Sequence, residues 1–208
     1  MVLWYAEKED KLKMTIFNTP ILSGIFHFLA LVIMRLLGWR VDGKLPDLPK
    51  FILIGAPHTS NWDFVLFLGV IFYLRANVRF MGKAEIFRFP VGWFFRYCGG
   101  VPVDRSKSTG LVEQMVKASN EADEFILTIA PEGTRHHVRE WKRGFYHIAK
   151  SAGIPIVLAV VDGKHKTVRI GQVFHSTENM EADMKAIQGT FAGIVGINPR
   201  RKYITLES

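Results

Sequence analysis

His58 and Asp63 stand five positions apart in His58-Thr-Ser-Asn-Trp-Asp63, the histidine in a loop after a short apolar run and the aspartate at the start of an apolar stretch. These types at this spacing suit proton handling: the carboxylate fixes the imidazole tautomer and steadies its positive charge when the free nitrogen takes a proton. That is half of a catalytic triad, with no serine at a nucleophile turn. A substrate could supply the nucleophile instead: were His58 to take a proton from an acceptor hydroxyl whose oxygen attacks a thioester directly, no covalent enzyme intermediate would be required. For an isolated pair a plainer account takes precedence, in which Asp63 caps a helix and His58 is an incidental loop residue.

Two further turns hold polar residues that a core would not accept, Asp104-Arg105 and Glu132-Gly-Thr-Arg135. An arginine fork suits a phosphate, and a glycine lets backbone approach a ligand closely. Read alone, Arg105 and Arg135 are equally served by surface ion pairs with their acidic neighbours. His136, His137, Arg139, Lys142 and Arg143 suit the phosphates of coenzyme A or an anionic lipid surface, with a solvated loop as the alternative. No carboxylate or cysteine set with ligand spacing accompanies the two histidines, so no metal is expected. Cys98 is the only cysteine, which excludes an internal disulfide, fits a reducing compartment and reads as a packing residue.

The elements that must position these residues follow from pattern. Residues 51–55, 78–81, 101–103, 125–129, 156–161 and 167–174 read as strands; residues 64–74, 109–120, 145–151 and 178–194 read as helices. Strands alternating with helices indicate an α/β domain, in which sites collect at strand ends. The two prolines of residues 44–50 mark a boundary, so residues 1–43 are expected to form an N-terminal helical segment and residues 44–208 the α/β domain.

Together, Gly100-Val-Pro-Val-Asp104-Arg105, Pro131-Glu132-Gly133-Thr134-Arg135 and Ile154-Pro155-Ile156-Val157 follow His58 and Asp63 at ordinary spacings. In that order the four blocks resemble the glycerolipid acyltransferases of the lysophosphatidic acid acyltransferase type, over about half of the chain. The third block is the most specific and the fourth the least. Pro57, Pro102 and His136 depart from the family's pattern without removing a catalytic group.

The resemblance implies a mixed, mostly parallel sheet flanked by helices, preceded by a membrane-associated helical element. It implies His58 as general base with Asp63 as its partner, and Arg105, Glu132, Gly133, Thr134 and Arg135 as binders of a phosphate-bearing acceptor. Lys83, in Lys83-Ala-Glu-Ile86, matches a short stretch in which the family places a phosphate-reaching lysine. The implied reaction moves a fatty acyl group from acyl-CoA or acyl-carrier protein to the hydroxyl of 1-acylglycerol 3-phosphate, without a cofactor. Another lysolipid, an aminolipid or a glycolipid is the alternative acceptor, and a non-catalytic lipid-binding protein the alternative class.

Composition agrees with a lipid partner. The chain is 49% apolar with 16 Phe and 5 Trp, the greasy end of what a globular protein tolerates. A formal charge of +8 attracts anionic partners; without a nucleic-acid module, an anionic bilayer surface is favoured over nucleic acid. Residues 21–37 are the membrane candidate, and His27 and Arg35 leave open whether they span or lie in the interface. They begin too far from Met1 for a usual signal peptide, so a membrane-associated enzyme facing the cytoplasm is expected. Residues 86–97, rich in aromatics with Arg88 and Arg96, suit a bilayer interface, an acyl-chain channel or a core.

Overall fold

The computed structural model describes residues 15–103, 110–136, 138 and 140–199. Its centre is a seven-stranded sheet of β1 (Arg40–Gly43), β2 (Lys50–Ala56), β3 (Arg79–Lys83), β4 (Gly100–Val103), β5 (Phe125–Ile129), β6 (Ile156–Asp162) and β7 (Thr167–Phe174), ordered β1-β7-β6-β2-β5-β3-β4. All neighbouring pairs are parallel except β6 and β7, so the sheet is mixed and mostly parallel, as the family resemblance implies. The parallel strands β2, β5 and β6 are buried on both faces, which is why they read as continuous apolar runs.

Helices cover both faces. On one, Ile52, Ile54, Leu158 and Val160 pack against α4 (Leu111–Glu121), α5 (Gly144–Ala152) and α6 (Met180–Gly189). On the other, Phe51, Leu53, Val157 and Ala159 meet α1 (Pro20–Leu37) and α2 (Trp62–Leu74), with Phe95 and Tyr97 of α3 (Gly92–Tyr97) packed alongside. This alternation along each strand is the two-residue period of the pleat. Residues 86–97 thus form the end of a 3-10 turn, Ala84–Phe87, followed by α3.

α1 begins with Pro20 at its first turn and ends on Gly38 in the left-handed conformation, whose N–H returns to the Arg35 carbonyl. Lys166 Nζ donates to the Leu37 carbonyl at 2.9 Å, placing a cation on the negative end of the helix dipole. The helix lies along α2: a ring nitrogen of His27 is 2.9 Å from the Phe72 carbonyl, and the Phe26 and Phe72 rings stack. Only Ala30 and Met34 are buried on it, while Ile21, Phe28 and Leu36 are 78%, 65% and 80% exposed.

Two differences from the sequence expectation follow from short or local signals. Residues 40–43, assigned by pattern to the N-terminal segment, form β1 on the sheet edge, paired with β7. The last helix ends at Gly189 rather than at residue 194, and the chain continues through turns to bury Phe191 against Trp141.

Candidate active site

The sheet topology gathers the polar turns. β2, β5, β3 and β4 are consecutive and parallel, so their C-terminal ends open on one edge. His58 follows β2, Glu132 follows β5 and Lys83 ends β3, all at that edge. Arg105 lies outside the described residues, as do Asp104, His137 and Arg139.

His58 and Asp63 meet. Nδ1 of His58 is 2.9 Å from Asp63 Oδ2, with the imidazole 30% exposed and the carboxylate 10%. The same Oδ2 accepts the backbone N–H groups of Thr59 at 2.6 Å and Ser60 at 2.7 Å. Hydrogen bonds to a charged acceptor contribute about 1.5–3 kcal/mol each, so Oδ2 is fixed by the loop before it meets the ring. The capping account of Asp63 therefore fails. Its carboxylate faces back into the loop, and Asn61, at the helix boundary, makes no side-chain cap. With Nδ1–H held on Asp63, Nε2 is the nitrogen left to take a proton.

Glu132 is buried at 5% exposure, and its Oε1 accepts the backbone N–H of His58 at 2.9 Å. Burial pushes its carboxyl up from the ordinary glutamate range; the donated N–H of His58, its own backbone and the charge of His58 pull the other way, and Asp63 adds to the rise. Gly133 has φ of +64°, which favours glycine, and an added Cβ would come within 3.2 Å of Lys142 Cγ. The turn is closed by the Lys142 N–H on the Pro131 carbonyl at 2.8 Å. Thr134 Oγ1 accepts the His136 N–H at 3.3 Å, and Arg135, like Lys83, is exposed.

A contribution invisible in the motifs comes from residues 195–198. Thr59 Oγ1 accepts the Asn198 N–H at 3.1 Å, and Gly163 N–H donates to the Val195 carbonyl at 2.7 Å. An added Cβ on Gly196 would stand 2.6 Å from Thr59 Cγ2 and Oγ1, and one on Gly163 would stand 2.3 Å from the Gly196 carbonyl oxygen. This strap leans on the His58 loop where a side chain has no room. The pair of glycines was the available signal, and neither lies within a recognisable motif. Among the described residues no group of three or more His, Cys, Asp or Glu side chains is placed to hold a metal ion.

The model of the family described as Acyltransferase matches residues 40–161. A 1-acyl-sn-glycerol-3-phosphate acyltransferase of Haemophilus influenzae is 27% identical over 148 residues, 66% of this chain and 60% of its own length. The enzyme of the same name from Saccharomyces cerevisiae is 32% identical over 146 residues, 65% of this chain and 46% of its own. The chain thus spans about half to three fifths of these relatives. The crystal structure of the 1-acyl-sn-glycerophosphate acyltransferase PlsC from Thermotoga maritima superposes with a TM-score of 0.62 at 19% identity, covering 82% of this chain and 76% of that one, a likeness of fold.

Proposed function

This chain belongs to the acyltransferase family, and on that premise we propose that it moves a fatty acyl group from a thioester donor to the free hydroxyl of a lysophospholipid, 1-acylglycerol 3-phosphate. The observation that carries the reading is the partly exposed His58 ring anchored on Asp63, whose acceptor oxygen is itself held by two loop amides. Nε2 of His58 takes the proton of the acceptor hydroxyl as its oxygen bonds to the thioester carbonyl carbon; the C–S bond then breaks, and the departing thiolate receives that proton from His58. Asp63 keeps its charge throughout and steadies the imidazolium. Acyl-CoA and acyl-carrier protein both supply such a thioester, and no further cofactor takes part.

The acceptor's phosphate is assigned to Lys83, Arg105, Arg135 and the Gly133-Thr134 turn. The shared strand edge supports this for the residues described, since Lys83 and the 133–135 turn sit at the ends of β3 and β5 beside the His58 loop. Such an acceptor resides in membrane, and the apolar exposed face of α1 supports association with a bilayer surface. The buried Cys98, its thiol pushed up to about 11 by burial, is inert and compatible with the cytoplasmic side.

The test is transfer from labelled acyl-CoA, and from acyl-carrier protein, to lysophosphatidic acid in detergent, alongside His58→Ala and a monoacylglycerol acceptor. Product requiring both His58 and the phosphate is expected. Undiminished turnover by His58→Ala would sink the mechanism, and equal use of monoacylglycerol would sink the phosphate assignment.

A further inference from the structure

Glu132 belongs, by its motif, with the groups that would face the acceptor, yet its surroundings do not suit that task. The residue is buried at 5% exposure, and when ionised it offers no donor and repels a phosphate. What it does touch is the catalytic residue's own main chain: Oε1 reaches across from the turn after β5 to accept the N–H of His58, 74 positions earlier, at 2.9 Å. Among the described residues the second oxygen, Oε2, is buried without a hydrogen-bond partner, so the His58 amide is what this side chain holds on another element.

We propose that Glu132 is a positioning residue that clamps the backbone of His58 and so aims its ring at the acceptor hydroxyl, without contacting the acceptor's phosphate. His58 is thereby held at both ends, its amide by Glu132 and its Nδ1 by Asp63. The two anchors leave Nε2 little freedom. Asp63 reads the ring, but the loop could still rock about the Thr59 and Ser60 amides; Glu132, buried in the turn that follows the neighbouring strand β5, ties that loop to the sheet. Proton transfer in the transition state depends on that placement, and a displacement of about 1 Å costs on the order of a hundredfold in rate. A carboxyl, ionised or protonated, and a carboxamide all present an oxygen that can accept one N–H, so the clamp tolerates glutamine and not an apolar side chain.

The inference rests on the acyl-transfer reading for the reaction that His58 serves, but the clamp has a readout of its own. In Glu132→Gln, kcat is expected to stay within about threefold of wild type; in Glu132→Leu it should fall about a hundredfold, with the KM for lysophosphatidic acid within about twofold in both. Hydrogen exchange at the His58 amide, followed by NMR on the detergent-solubilised protein without substrate, should remain slow in the glutamine variant and become fast in the leucine variant. Should leucine prevent folding, Glu132→Ala takes its place in both measurements. A KM for the phosphate-bearing acceptor that rises tenfold or more at unchanged kcat would overturn the proposal and make Glu132 an acceptor ligand. So would an His58 amide that stays protected without the carboxyl. Wild type inactive with every donor and acceptor would remove the reaction while leaving the clamp to be decided by exchange.

Discussion

Asp63 illustrates how much one oxygen can be asked to do. Because Oδ2 accepts from two backbone amides and from His58, an asparagine there must turn its carbonyl oxygen to the Oδ2 position and its amide nitrogen to the place of Oδ1. The imidazole then keeps its tautomer and loses only the neighbouring charge. Asp63→Asn should lower kcat about a hundredfold with an unchanged acceptor KM, which steady-state kinetics would check; a loss under threefold would mean that the carboxylate's charge is idle. Glu132 carries a different signature. A carboxyl whose folded value is raised stabilises the fold fully below the ordinary glutamate range, and that contribution is lost as pH rises through the folded value. Glu132→Gln should therefore gain in urea stability relative to wild type as pH rises, and an equal difference at acid and alkaline pH would contradict the assignment. The His58 and Asp63 spacing was open to reading from the chain because five positions fit a loop entering a helix. The Glu132 link was not, because acceptance of a main-chain N–H from a distant loop leaves no periodicity and no residue-type requirement on the donor.

At the scale of elements, the other six strands were legible, most clearly β2, β5 and β6, because a buried strand is an unbroken apolar run bounded by turn residues, whereas β1 is four residues of Arg-Val-Asp-Gly on an edge and carries almost no such pattern. The strap of residues 195–198 was equally hidden, since its grip is made by backbone atoms and by two glycines that matter only for lacking a Cβ. Gly196→Ala should destabilise the protein by about 1–3 kcal/mol and lower kcat by displacing Thr59 beside His58; unaltered stability and kcat would show that the strap yields without consequence. The opposite face is tied by Asp183. It accepts from Tyr146 Oη at 2.7 Å, Thr177 N at 2.6 Å and Thr177 Oγ1 at 3.0 Å, joining α5 to α6. Burial alone would raise its carboxyl, but these donors hold it below the ordinary range, and burial with the bond to Asp183 pushes Tyr146 up to about 12. A depressed carboxyl contributes stability above its unfolded value and loses it as pH falls through the folded one. The acid limb of a pH–stability curve should accordingly flatten in Asp183→Asn; an unchanged limb would place acid sensitivity elsewhere.

For the molecule as a whole, the two faces of the sheet differ in what they show outward. The α1, α2 and α3 side exposes Phe28, Leu36, Trp62 and Trp93, while its own core lies beneath. Since Phe28 and Leu36 are exposed, Phe28→Glu with Leu36→Glu should alter folding stability by no more than about 0.5 kcal/mol per site, yet abolish co-sedimentation with anionic vesicles. Vesicle binding that survives both changes would detach α1 from the bilayer. The same architecture also has an order in time. Arg40 of β1 pairs with Thr167 of β7, and the lysine that closes the end of α1 is the residue just before that strand. A chain emerging from the ribosome therefore presents β1 long before the strand that pairs with it exists. Over that interval β1 has no partner strand, so this edge of the sheet is sealed only by residues synthesised well over a hundred positions later.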